Sequence, residues 1–236
     1  MTYRRVVWDQ VSELYYRGQL WVLRRIFRHS YSRFYREFMR LRTRRDPKAA
    51  VGGCWEELGR LQFEFLREEG LKPNHRLLDI GCGALRAGIH FIGYLAPGHY
   101  TGIDISQHIL DAGRKMLPAG LHGEKRPRLL RNNDLRLSEF EDASFDFVLA
   151  QSVFTHMPRA DVEECISSVP RVLRETGRFY FTIFEDERER YVPGAENFYY
   201  PYQTLYRLCR RSGLDLARVD EFVHPRHQAM LRAARR

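Results

Sequence analysis

Short apolar runs alternate with helically spaced apolar positions along most of this chain. Leu77, Leu78 and Ile80 form a run that ends in Gly81, Cys82 and Gly83; Ile89, Phe91, Ile92 and Leu95 then recur at helical spacing, and Tyr100–Ile105 is a second short run. Runs of that length separated by a glycine turn and a helix predict strand, turn, helix, strand. The alternation continues with strands at Arg128–Leu130, Phe145–Ala150 and Arg178–Phe184 and with helices over Gln107–Met116 and Arg159–Arg174. Ser106 stands at the N-cap of the first of these helices and Pro118 at its stop, Gly177 closes the second, and residues 118–127 predict a surface loop.

Trp55–Glu69 precedes the first strand as a helix whose apolar side is Trp55, Leu58, Leu61, Phe63, Phe65 and Leu66, stopped by Gly70. Near the other end, Gln203–Ser212 predicts the last long helix, with Gly213 as its C-cap. Two strands follow, Leu214–Val223 and Gln228–Ala233, joined by His224–His227. Four residues are too few for a helical crossover, so this last pair is an antiparallel hairpin. The fold class is therefore α/β, Rossmann-like, with five parallel strands, a C-terminal antiparallel hairpin and helices on both faces. Before it, Val7, Val11, Leu14, Val22, Ile26, Phe34, Phe38 and Leu41 predict one or two amphipathic helices. Arg44–Lys48 reads as a helix stop and linker. Residues 1–48 are taken as a helical extension and 49–236 as the domain.

Composition changes the picture mainly at the N-terminus. The 236 residues suffice for one α/β domain plus an appendage. The net charge of +9 is wholly local: residues 1–48 hold 13 Lys/Arg against 4 Asp/Glu, and the rest holds 26 of each. Ten of the 31 aromatics lie in residues 3–41, Trp8, Tyr15, Tyr16, Trp21, Phe27, Tyr31 and Tyr35 among them. Such helices pack on the domain or on a second subunit as a homo-oligomer, bind a membrane interface, or bind nucleic acid. Cys54, Cys82, Cys165 and Cys209 show neither a disulfide framework nor zinc spacing, so no metal site is expected and a reducing, cytoplasmic setting is. No secretory leader pattern and no 18-residue apolar run is present.

The candidate chemistry sits at the strand ends. Gly81 and Gly83 permit unusual dihedrals and close backbone approach to a ligand, and the following helix N-terminus favours an anion. Asp104, 23 positions beyond Gly81, is placed to accept hydrogen bonds from ribose hydroxyls. Arg86 occupies the position of a dinucleotide site's third glycine, which disfavours a pyrophosphate.

DIGCG followed by GIDIS resembles the class I S-adenosylmethionine (SAM) dependent methyltransferases, whose first motif is Asp/Glu-x-Gly-x-Gly-x-Gly; the last glycine of that motif falls on Leu85. The resemblance covers residues 55–233 and implies a seven-stranded mixed sheet, SAM as cofactor and S-adenosylhomocysteine (SAH) as product. The cofactor-binding residues it implies are Asp79, Gly81, Cys82, Gly83 and Arg86 on the first loop, Asp104 and Ile105 on the second, Asn133, Asp134 and Leu135 on the third, and Gln151 on the fourth. Trp55 and Gln62 are further candidates for contact with the cofactor. SVFTHMP resembles small-molecule methyltransferases of the ubiquinone-biosynthesis type, while the Asn/Asp-Pro-Pro-Tyr and proline–cysteine motifs of nucleic-acid base methyltransferases are absent. His156, His224 and Glu185 are thereby the candidate catalytic groups, with a histidine titrating near ~6.5. The expected reaction is O-methylation of a small-molecule, sugar or lipid-linked acceptor. The alternatives are an RNA or protein methyltransferase gripping its substrate through the basic N-terminus, and a SAM-binding regulator without turnover. Residues 1–45 are expected to touch the inner membrane surface peripherally, and the aromatic-rich insertion through Tyr191, Phe198, Tyr199, Tyr200 and Tyr202 to form the acceptor lid.

Overall fold

The computed structural model describes residues 18–132 and 134–236. Its centre is a parallel sheet in the order β3 (Arg128–Arg131), β2 (Tyr100–Asp104), β1 (Leu77–Ile80), β4 (Phe145–Ala150), β5 (Leu173–Glu185). β9 (Ala229–Arg235) runs antiparallel along β5, with Phe181 opposite Leu231, and β8 (Leu214–Val219) completes the far edge. A smaller hairpin, β6 (Arg190–Val192) and β7 (Asn197–Tyr200), extends the sheet where β7 pairs parallel with Phe184 and Glu185 at the end of β5. The expected aromatic-rich lid thus has regular structure of its own.

Alternation along the strands divides the core in two. Leu78, Ile80, Val148, Ala150, Phe179 and Phe181 face one way, onto α7 (Arg159–Val172) and α8 (Tyr202–Arg211). Leu77, Phe147, Leu149 and Tyr180 face the other, onto α3 (Trp55–Glu68), α4 (Gly88–Tyr94) and α5 (Gln107–Met116). Central strands β1 and β4 are apolar on both faces because helices cover both.

A third cluster lies at the N-terminal side. α1 (Tyr31–Arg45) buries Phe34, Phe38 and Met39 against Ala84 and Ile109, and Leu20 and Leu23 from the helical residues 18–26, with Phe27 in the turn after them, pack beside it. α1 stops where Asp46 turns extended and caps α2 (Pro47–Ala50), its carboxylate accepting from the amides of Lys48 and Ala49.

Some local expectations change. Residues 118–127 contain a short helix, α6 (Leu121–Lys125). Ser106 occupies the N-cap of α5, yet its hydroxyl is buried without a partner, and its amide donates to Asp104 Oδ1. β8 ends at Val219, so the connection to β9 is a longer loop, residues 220–228, that reaches toward the first glycine loop.

Candidate functional site

The order of the parallel strands reverses between β1 and β4, and a cavity of about 510 Å³ opens at their carboxyl ends. Its floor is the turn after β1. The amides of Gly81 and Cys82 both donate to the Ile103 carbonyl, at 2.8 and 3.0 Å, and the Gly83 amide donates to Asp104 Oδ2 at 3.1 Å. The turn is thereby tied to the end of β2. A Cβ on Gly81 would lie 2.5 Å from Val153, and one on Gly83 2.7 Å from Val51, so glycine is required for the neighbouring walls to come this close.

Burial sets the charges on this floor. Asp79 accepts from the Tyr100 hydroxyl at 2.7 Å, but desolvation and then the proximity of Asp104 push its pKa up to about 7. Asp104 is raised to about 6 by burial, less far because the amides of Ser106, Gly83 and Ile105 stabilise its charge. Around them lie polar atoms with no partner in the protein: Gln62 Nε2, Arg86 Nε and Gln151 Oε1. Buried polar groups in folded proteins are paired, so three orphans lining one cavity mark a polar ligand. Ile105, Leu135, Val153 and Met157 line the cavity as its apolar part.

The family described as a methyltransferase domain matches residues 78–179, the segment that carries this turn, Asp104 and β4. The class I SAM-dependent methyltransferases are thus what this chain resembles over those residues. Phosphoethanolamine N-methyltransferase 2 of Caenorhabditis elegans is 26% identical over 168 residues, 68% of this chain and 37% of that protein. The ubiquinone biosynthesis O-methyltransferase of Hahella chejuensis is 30% identical over 145 residues, 59% of this chain and 57% of that protein. The chain thus spans about half or less of the length of several curated relatives. Magnesium protoporphyrin IX methyltransferase of Synechocystis PCC 6803, solved with bound SAH, has the same fold, with a TM-score of 0.59 at 17% identity over 77% of this chain and 86% of that one.

The cavity wall brings together Asp79, Gly81, Cys82, Gly83, Arg86, Asp104, Ile105, Leu135, Gln151 and His156 of the expected residues, and Gln62 from α3. Four others lie elsewhere; Trp55 packs in the N-terminal cluster with the Lys48 ammonium over its ring. Asp134 turns its carboxylate away to the Ser138 hydroxyl and the Arg136 amide, capping its own turn, while Asn132 lines the cavity instead. Glu185 ends β5 in an exposed bidentate pair with Arg218. His224 is buried against Phe222, its Nδ1 accepting from the Arg226 amide, and it is Arg226 that faces the cavity. Asn133 lies outside the described residues.

The cavity is also lined by residues the motifs did not single out. Tyr31, Tyr35, Met39 and Arg42 lie on one face of α1 and close the cavity from above, and Val51 and Gly52 form the adjoining rim. The i, i+4, i+8, i+11 spacing of those four was legible, but it does not say what the face covers. His156 stacks on Tyr35 with ring centroids 5.9 Å apart, and its Nδ1 lies 2.8 Å from the Glu196 carbonyl. A carbonyl can only accept, so Nδ1 carries the proton and Nε2 the lone pair. Burial, with Arg226 and Arg42 nearby, lowers the His156 pKa to about 4, below the ~6.5 of a free histidine.

Proposed function

We propose that this domain transfers a methyl group from SAM to a hydroxyl oxygen of a small-molecule, sugar or lipid-linked acceptor. The observation behind the acceptor chemistry is His156, held neutral with its Nε2 lone pair free at the cavity wall, beside the Tyr35 ring. The residues present fit the cofactor. Arg86 Nε and Gln62 Nε2 are unpartnered donors for its carboxylate, Asp79 and Gln151 Oε1 are acceptors for its ammonium, and Asp104 faces the ribose position. The slot between Ile105 and Leu135 suits a planar base. When bound, the cofactor supplies an electrophilic methyl group and departs as a neutral thioether.

The chain's own groups then align the acceptor and manage its proton. Alignment by a closed cavity contributes up to roughly 7–11 kcal/mol of a two-body barrier. His156 Nε2 accepts the hydroxyl proton, an effect typically worth ~10²–10⁴-fold. The test is incubation of the protein and methyl-labelled SAM with separated small-molecule, lipid, glycan, RNA and protein fractions, beside calorimetry of SAH binding. Label entering a small-molecule, glycan or lipid fraction supports the proposal; label confined to RNA or protein overturns it. Asp104→Ala is expected to weaken SAH binding at least tenfold, and unchanged affinity would remove Asp104 from the cofactor site.

The helical residues 18–26 bear on the lipid-linked alternative. Leu20, Leu23 and Phe27 pack inward, while Trp21, Val22 and Ile26 are 64%, 46% and 63% exposed among Arg25 and Arg28. We propose that this face rests on an anionic lipid surface, which exposed apolar side chains flanked by cations suit. No described helix is long and apolar enough to cross a membrane.

A further inference from the structure

Three guanidinium groups converge on one turn of five residues. Arg86 Nη1 donates to the carbonyls of Val51 and Gly53, at 2.8 and 3.2 Å. Arg42 Nη2 donates to the Ala49 carbonyl at 3.0 Å, its guanidinium 5.3 Å from the centre of the Phe38 ring. Arg226 lies over Gly52, where an added Cβ would stand 2.4 Å from its Nη1. All three line the cavity.

Several arginines elsewhere in this domain are matched with acids: Arg136 with Glu164, Arg159 with Glu189, Arg171 with Asp142, Arg174 with Asp146, Arg218 with Glu185. Among the described residues, no carboxylate lies within ion-pair distance of Arg42, Arg86 or Arg226. The cavity's own acids are Asp79 and Asp104 on the floor and Asp161 and Glu164 on α7. Like charges gathered in a partly desolvated place repel, and the Arg86 pKa is lowered to about 10 by burial and by Arg226. A bound anion would relieve this, and guanidinium forks are shaped for carboxylate and phosphate.

The three differ in depth. Arg86 is 7% exposed, its free Nε adjoins the glycine turn, and the cofactor's single carboxylate belongs there. Arg226 is exposed and Arg42 half-buried. Arg42 follows Tyr35 by two turns on the same face of α1, and Tyr35 stacks on His156. One carboxylate cannot satisfy all three, and the outer two stand on the acceptor's side.

We propose that the methyl acceptor is an anion, a carboxylate or phosphate compound whose charged group is gripped by Arg226 and Arg42 while its reacting atom meets His156. This rests on the methyltransferase reading and narrows its acceptor class. Calorimetry on the full chain saturated with SAH, titrated with inorganic phosphate and separately with benzoate at constant ionic strength, tests it. At least one of the two anions is expected to bind saturably, the tighter one naming the group. Its affinity should fall at least tenfold in Arg226→Gln and in Arg42→Gln, with SAH affinity within twofold of the parent. The inference is overturned if neither anion binds, if the variants bind it as the parent does, or if Arg226→Gln loses SAH affinity tenfold, which assigns that arginine to the cofactor. Should SAH fail to bind the unaltered chain, the methyltransferase reading falls first, and a circular dichroism spectrum of each variant separates misfolding from loss of the site.

Discussion

Leu85 shows how one residue departs from a motif without destroying it. It stands where the motif has its last glycine, and its backbone takes the left-handed conformation of a glycine, with φ +66°. Its side chain is fully buried, against Gly88 and Gly113, where an added Cβ would come within 2.8 and 2.9 Å of it. The left-handed conformation costs a non-glycine residue roughly 1–2 kcal/mol, whereas removing a buried leucine costs about 2–5 kcal/mol. Leu85→Gly is therefore expected to lower stability by up to about 4 kcal/mol in urea unfolding while leaving SAH affinity within a few-fold. A stabilised variant would show that strain outweighs packing there.

The buried carboxylates carry a second prediction. The folded chain keeps a proton on Asp79 up to about pH 7, while the unfolded chain loses it above about 3.8. Stability linked to this group is therefore greatest below about pH 3.8 and declines as pH rises to 7. His156 and His224, both lowered to about 4, act in the opposite sense, their contribution growing as pH rises from 4 to about 6.5. Comparing Asp79→Asn with the parent isolates the carboxylate. The stability difference should move in favour of the variant between pH 4 and 7, and a pH-independent difference would contradict it. The same burial revises the rate profile expected of a free histidine: the histidine limb should lie near pH 4 rather than ~6.5 until a bound anion offsets Arg42 and Arg226.

At the scale of elements, two segments far apart in sequence make the upper wall together. Glu196, in the turn between β6 and β7, is wholly buried, and its carboxylate accepts from Arg24, the Tyr191 hydroxyl and the Gly194 amide. Tyr31 of α1 meets the Tyr191 and Phe198 rings edge-on, at 6.2 and 5.1 Å. The hairpin is thus latched to the N-terminal helices, and the His156 ring is held by the Glu196 carbonyl beneath the latch. Glu196 is buried but Arg24 is 38% exposed, so solvent screening brings the cost of breaking this pair below the roughly 3–5 kcal/mol of a fully buried one. Glu196→Ala is expected to lower the melting temperature and to raise the acceptor KM more than it weakens SAH binding, because the cofactor residues lie on other loops. Equal losses in both would show that the latch supports the whole cavity.

The whole molecule places its charge and its chemistry on different parts. The sheet domain is balanced, and the excess of nine positive charges belongs to residues 1–48. Basic residues near an anionic surface contribute about 1 kcal/mol each, so a few suffice for measurable attachment. Sedimentation with anionic vesicles at low salt is expected to carry down the full chain, and the triple substitution Trp21→Ser, Val22→Ser, Ile26→Ser to reduce that several-fold. A chain that stays in the supernatant in both forms would remove lipid from the account.

Much of this was legible in the linear pattern. Strand and helix order, the terminal hairpin and the floor of the cavity follow from local rules, because period, glycine turns and strand-end acids act over a few residues. Gly81, Gly83 and Asp104 are within one βαβ unit, so their meeting is a local event. What only the tertiary structure decided depends on contacts across long sequence separations. Asp134 and Glu185 had the right residue type at strand ends, but a neighbouring serine and an arginine 33 positions away claimed their carboxylates. His224 was expected in the cleft, and the loop before β9 buries it and presents Arg226 instead. The aromatics and arginines of α1 left open packing on the domain or a second subunit, a membrane interface and nucleic acid. Packing against Ala84 and Ile109 turns Tyr35 and Arg42 into the cavity wall, since periodicity gives the faces of a helix and only its neighbours determine what each face meets.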